Sequence, residues 1–153
     1  MSAHVTDTAD LIAVSAIVVG FGVTAMMFRV QREVYVLEVR KIETLWLAWA
    51  DYTIIASVML AVFGATVPLL VFPTLPESVI ALSASSCVGA VILQAGYIPS
   101  ILAHYRIEIG SARTGSREKG EPAERLFVIG AFIIAGITFV LTFCLRMGVL
   151  WRA

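Results

Sequence analysis

The sequence predicts an all-α integral membrane protein built as a bundle of four transmembrane helices. Its 153 residues are 59% hydrophobic and only 14% charged, whereas about a quarter of the residues are charged in an average soluble domain. Four apolar segments are each long enough to cross a bilayer, which takes roughly 20 residues per helix. We therefore expect a single transmembrane domain over residues 1–153, with helices at about 11–28, 45–72, 78–105 and 125–149.

The first apolar segment, Leu11–Phe28, is predicted to be a retained membrane helix. Its N-terminal flank carries Asp7 and Asp10 but neither Lys nor Arg, whereas a secretory signal begins with a basic region. An A-x-A-like cleavage site is not evident either. We expect that this segment is not removed.

A charged stretch, Phe28–Trp46, follows the first segment and contains neither Gly nor Pro. Its apolar residues Val30, Val34 and Leu37 recur at helical spacing, which favours a helix over a strand. We therefore predict a cytoplasmic extension of the first helix to about residue 40, a turn near Val39–Glu43, and re-entry into the membrane at the end of the stretch. An amphipathic segment lying on the membrane surface is the alternative.

The remaining apolar segments are separated by two connections of different character. The stretch "FPTLPES" carries Pro73 and Pro76, which favour a turn because proline lacks a backbone donor. Residues 106–124 are rich in glycine and in charges of both signs, a composition that buries little apolar surface. We expect a short turn at the first connection and a mobile link at the second.

The distribution of basic residues predicts the orientation in the membrane. Nine Lys and Arg residues lie in the two charged links, counting Arg125 at the end of the second link, and two lie in the C-terminal flank. Cytoplasmic links carry the excess of Lys and Arg in membrane proteins. We therefore predict a multi-pass protein of the cell membrane with both termini extracytoplasmic and both charged links in the cytoplasm.

Asp51 is the only acidic residue inside an apolar run. A charge in hydrocarbon is unfavourable unless it is paired or hydrated, and it marks a functional site by default. Trp49, two residues earlier, is of a type that lies at headgroup level. Two interpretations therefore stay open for Asp51: membership of an ion or proton site, or pairing with one of the candidate partners Arg29, His104 and Arg106.

Gln94 is the second polar residue of interest, because it lies near the middle of the third apolar segment. An amide at mid-bilayer needs an interhelical partner or water. If the third helix faces the second, a polar path for a cation or proton would comprise Asp51, Ser57, Gln94 and Tyr97. The alternative is that these side chains hold the helices together.

The sequence gives little support for an enzyme or for a protein that binds nucleic acid. Cys87 and Cys144 form no C-x-x-C pair, and the two histidines, His4 and His104, lie at opposite membrane faces in the predicted topology. No nucleophile elbow or glycine-rich phosphate loop occurs in a plausible context. The net charge is zero, so there is no basic footprint for nucleic acid. We predict no catalytic, cofactor or metal site.

Small residues at four-residue spacing, such as Ala81, Ser85 and Gly89, allow helices to approach closely in lipid. We therefore expect the chain to contact the lipid bilayer. We also expect self-association or incorporation into a larger membrane complex. The sequence favours a homo-oligomeric channel or transporter for an ion or small solute. The alternative is a non-catalytic membrane subunit or scaffold of a larger complex.

Overall fold

The computed structural model describes residues 2–40, 48–72, 74–114 and 122–148, and these are helical apart from short connections and contain no strand. The elements are α1 (Ser2–Arg40), α2 (Trp49–Met59), a π-helical segment (Leu60–Thr66), α3 (Val67–Val71), α4 (Glu77–Thr114) and α5 (Pro122–Arg146). Four spans are long and apolar enough to cross a membrane: Thr8–Val39, Trp49–Val71, Glu77–His104 and Ala123–Arg146. The predicted all-helical class with four such helices is confirmed.

Helix α1 is continuous from Ser2 to Arg40, although its predicted start was near residue 11. The stretch after Val23 offers no Gly or Pro to interrupt the helix. Its division into a membrane part ending near residue 28 and a cytoplasmic extension stays a prediction. The predicted turn near Val39–Glu43 and the re-entry at Trp46 involve residues 41–47, which lie outside the described ranges.

The second span contains the π-helical segment, which the sequence analysis did not predict. Pro68 lacks the N–H group that would bond the carbonyl of Gly64 in a regular α-helix. The amide of Val67 instead donates to the carbonyl of Val62, five residues back, which is the wider π pattern. The proline thus lies where the chain changes its hydrogen-bond register.

The connection between the third and fourth spans is more helical than expected. Helix α4 continues through Thr114, beyond its predicted end near residue 105. Between residues 105 and 114 the chain offers only Gly110 as a weak breaker, and one glycine costs about 1 kcal/mol in a helix that is already nucleated. Helix α5 begins at Pro122, slightly before its predicted start near 125, because proline suits the first turn of a helix.

Helix α4 is the centre of the bundle and contacts every other helical element named above. In the most apolar stretch of its span, 56% of the residues are buried, against 28% in the second span and 17% in the first and last spans. Small side chains dominate the buried apolar positions, among them Ala61, Ala65, Ala90, Ala131 and Ala135. The helices therefore approach closely, as is typical where association does not depend on large apolar side chains.

Candidate functional site

Four titratable side chains, one from each of the four spans, are buried together and are linked by polar contacts. We call them the ionic cluster: Arg29 on α1, Asp51 on α2, His104 on α4 and Glu124 on α5. Their exposed fractions are 6%, 2%, 9% and 1%. Because buried charges persist in proteins only when they are paired, the contacts between these residues decide what the cluster can do.

Arg29 contacts three of the described residues through its guanidinium group. Its Nε lies 3.4 Å from Oδ2 of Asp51, and its Nη1 lies 2.6 Å from Oε1 of Glu33, one turn further along α1. Its Nη2 lies 3.5 Å from Nε2 of His104. The fixed fork of donors in the guanidinium group suits it to such multiple pairing. Arg29 thereby ties α1 to α2 and to α4.

Both buried carboxylates accept hydrogen bonds from the start of α2. The amide of Ala48 donates to Oδ2 of Asp51 at 3.0 Å, and the amide of Ala50 donates to Oε1 of Glu124 at 2.9 Å. The first amides of a helix have no partner within the helix and carry a partial positive charge. One carboxylate from α2 itself and one from α5 therefore satisfy this helix end.

The ring of His104 links α4 to α5 and to α1. Its Nδ1 lies 3.1 Å from Oε2 of Glu124, and its Nε2 faces Nη2 of Arg29. Because an arginine can only donate hydrogen bonds, Nε2 is assigned as the acceptor in this contact. In this assignment Nδ1 carries the proton and donates to Glu124, so that the ring is neutral.

The ionic cluster carries more negative than positive charge when His104 is neutral. Arg29 then faces two buried carboxylates, those of Asp51 and Glu124, and Glu33 adds a third at the edge, where its side chain is 19% exposed. One oxygen, Oδ1 of Asp51, is buried without a hydrogen-bond partner among the described residues. Such an oxygen loses its hydration without compensation.

Three aromatic and basic side chains close in sequence to Asp51 and Glu124 contact one another. The guanidinium carbon of Arg125 lies 4.9 Å from the centre of the Trp49 ring, and the ring of Tyr52 lies 5.9 Å from that of Trp49. All three side chains are exposed. Tryptophan, tyrosine and arginine in such positions are typical of the boundary between hydrocarbon and headgroups.

The structure brings together two of the three partners that were suggested for Asp51. Arg29 contacts Asp51 directly, and His104 reaches it through Arg29. The third candidate, Arg106, lies on α4, but its side chain is outside the described part of the structure.

The residues of the suggested polar path are bonded to other groups. Ser57 is fully buried, and its hydroxyl donates to the carbonyl of Ile54 in its own helix at 2.8 Å. Gln94 donates from Nε2 to the carbonyl of Val18 on α1 at 2.5 Å, and Tyr97 is half-buried one turn further along α4. Among the described residues, Asp51, Ser57 and Gln94 form no hydrogen bond with one another. A common path through them stays a prediction.

Glu124 is the residue that the sequence analysis missed. It lies at the end of the charged link 106–124, next to Arg125, and the fourth apolar run begins only after it, at Leu126. The useful signal is Pro122, since a proline followed closely by an acid is typical of a helix start. That signal indicates the helix terminus, but it does not indicate that Glu124 contacts His104 and α2.

Two grooves on the bundle are lined by apolar side chains. The first, of about 430 Å³, lies between α1 and α2 and includes Val23, Met26, Val30, Ile54 and Val58. The second, of about 800 Å³, lies between the second span, α4 and α5 and includes Leu60, Phe63, Leu93, Phe132 and Phe139. These surfaces suit lipid chains or other apolar helices rather than ions.

Within the described residues, no group of three or more His, Cys, Asp or Glu side chains is arranged to hold a metal ion. Cys87 is a buried thiol that lies 3.3 Å from the hydroxyl of Ser15 on α1. This contact suits the packing role of a small, weakly polar side chain.

The chain matches no protein-family model, no curated protein and no solved structure.

Proposed function

We propose that the protein is a non-catalytic membrane subunit that assembles with other helices in the bilayer. The observation that carries this proposal is that every member of the ionic cluster contacts a group on another helix. Arg29 contacts Asp51 and His104, and Glu124 contacts His104 and the amide of Ala50. These contacts fix how the four helices are arranged, a role in specificity that buried ionic groups fill in some proteins.

The middle of the bundle supports the same proposal. The Gln94 amide, near mid-span, bonds the backbone of α1, so it acts as a link between helices. The outer face of α5 presents Ile129, Ile133 and Ile137, each more than half exposed. A face of this kind suits contact with lipid or with the helices of a partner.

We place the protein in the cell membrane with both termini outside. The excess of Lys and Arg in the two links supports this orientation. With 39 residues, α1 is about 58 Å long, longer than the roughly 30 Å of a hydrocarbon core, and we propose that its C-terminal part extends into the cytoplasm. In a variant without native cysteines, a cysteine at Ser78 should react with an impermeant reagent added to intact cells, and one at Gly115 should not. The reverse result would overturn the orientation.

Ion or proton transport by a homo-oligomer is the second candidate. It is favoured by the excess of carboxylates in the ionic cluster and by the buried oxygen Oδ1 of Asp51, which lacks a hydrogen-bond partner among the described residues. Ionisable groups within membrane spans commonly mark ion pathways or proton relays. In this candidate the polar path would depend on contacts between copies of the chain.

Substituting Asp51 by Asn separates the two candidates, because it removes the charge and nearly keeps the shape. For a subunit, the loss of the charged acceptor beside Nε of Arg29 should lower the free energy of unfolding in detergent by about 1–3 kcal/mol, while proteoliposomes show no flux with either protein. For a transporter, the wild type should show cation or proton flux, and the variant should lose it with its oligomeric state intact.

Asp10 provides the matched control, since it is an exposed acid on α1. Asp10→Asn should change neither unfolding nor flux. Wild-type flux that is sensitive to Asp51→Asn but not to Asp10→Asn would reject the subunit proposal. Purification in mild detergent adds an independent measure, because a subunit should elute with a partner chain.

A further inference from the structure

His104 lies between a hydrogen-bond donor and a hydrogen-bond acceptor. Its Nε2 is 3.5 Å from Nη2 of Arg29, and its Nδ1 is 3.1 Å from Oε2 of Glu124. A neutral ring satisfies both contacts, because it can accept at one nitrogen and donate at the other. An imidazolium carries a proton on both nitrogens, so it keeps the contact to Glu124 and loses the one to Arg29.

Asp51 offers a second position for the donor that Arg29 would then release. Nε of Arg29 already lies 3.4 Å from Oδ2 of Asp51, and the other oxygen of this carboxylate, Oδ1, is buried without a hydrogen-bond partner among the described residues. Arginine commonly binds a carboxylate through two parallel N–H···O bonds. Nη2 lies on the same edge of the guanidinium as Nε, so it can complete such a pair with Oδ1.

The charges around His104 are compatible with a proton on its ring. Within the described part of the chain, four charged groups meet it or its direct partners: Arg29 and Glu33 from α1, Asp51 from α2 and Glu124 from α5. Arg32 and Arg125 lie further out, where their side chains are partly or largely exposed. With a neutral ring the buried members of the ionic cluster sum to one negative charge, and a proton on His104 brings that sum to zero. Favourable charge balance of this kind lowers the penalty for burying an imidazolium.

We infer that His104 is a proton-binding site, and that its protonation state determines which helix accepts the hydrogen bond from Nη2 of Arg29. With the ring neutral, Nη2 of Arg29 bonds Nε2 of His104 and ties α1 to α4. With the ring protonated, Nη2 turns to Oδ1 of Asp51 and ties α1 more firmly to α2, while the contact between α4 and α5 gains a full ion pair. The ligand is a proton, and the two arrangements differ in one hydrogen bond.

This inference goes beyond the proposed function, since it holds for a subunit and for a transporter. In either case it makes the packing of α1 against its neighbours depend on pH. Two arrangements that each satisfy the same donor are what a pH-sensitive element in a folded protein requires.

Magnetic resonance of the full chain in lipid bilayers, with ¹⁵N in histidine and arginine, tests the inference. The variant His4→Gln leaves His104 as the sole histidine and so assigns its signals. At alkaline pH we expect a protonated Nδ1 and an unprotonated Nε2. On acidification Nε2 should gain a proton, and the Nη2 signal of Arg29 should shift with the same midpoint.

The variant His104→Gln should abolish the acid-induced shift of the Arg29 signal, whereas His4→Gln should retain it. Three results would overturn the inference: a proton on Nε2 at alkaline pH, a ring that stays doubly protonated throughout, or an Arg29 signal that does not follow His104. The wild-type titration decides the question even if His104→Gln does not fold.

Discussion

The ionic cluster and the contact between the π-helical segment and α4 both hold the second span in the bundle, but they do so by different interactions. At the ionic cluster, the start of α2 meets two other helices, α1 and α5, through charged side chains and a backbone amide. Further along the same span, Gly64 lies so close to α4 that a Cβ at this position would be 2.5 Å from Oγ of Ser86.

This difference predicts how each region can be damaged. The charged contacts are directional and desolvated, so removing one partner leaves another buried group unpaired. The contact at Gly64 depends on backbone proximity and dispersion, so adding atoms disrupts it more than removing them. A truncation should therefore harm the ionic cluster, and an enlargement should harm the π-helical contact.

The largest effect is expected for Glu124→Ala. It removes the acceptor of two buried donors, Nδ1 of His104 and the amide of Ala50, and a buried donor that loses its acceptor costs about 1–3 kcal/mol for each donor. The measurement is the free energy of unfolding in detergent. Glu77 serves as the control, because it is also an acid in the first turn of a helix but is exposed, and Glu77→Ala should fall within about 0.5 kcal/mol of the wild type. Equal effects of the two substitutions would refute a special role for Glu124.

A smaller effect is expected for Gly64→Ala. The new methyl group would overlap Ser86, and overpacking of this kind costs about 1–3 kcal/mol. Gly136→Ala is the matched control, since nothing lies within 4 Å of a Cβ there, and in a helix it should be neutral or stabilising by up to about 1 kcal/mol. If Gly64→Ala is as stable as Gly136→Ala, the close approach does not limit the packing.

The smallest effect is expected for Ser86→Ala. Its Oγ is buried without a hydrogen-bond partner among the described residues, so its loss should change stability by no more than about 0.5 kcal/mol or increase it slightly. Ser83 provides the contrast, because its hydroxyl donates to the carbonyl of Ala65 at 3.3 Å, and Ser83→Ala should cost about 0.5–1.5 kcal/mol. A larger loss at Ser86 than at Ser83 would indicate that Ser86 has a polar partner, such as a bound water.

The candidate site was only partly accessible to sequence reasoning. Asp51 stood out because a charge in an apolar run has few explanations, and Arg29 followed as a partner because both residues were expected near the same membrane face. Glu124 was missed since it lies among other charges, where sequence gives no sign of burial. The π-helical segment was missed because Pro68 predicts a disturbance of the helix but not the form that the disturbance takes.

The sequence by itself determined the all-helical class and the number of helices that can cross a membrane, because both depend on composition and on the length of apolar runs, which are local properties. Only the tertiary structure decided that Arg29, Asp51, His104 and Glu124 meet, and that Gln94 bonds α1. Such contacts depend on the rotation and depth of each helix relative to the others. Those variables are set by the summed packing of small residues along α4, and no single segment of the sequence encodes them.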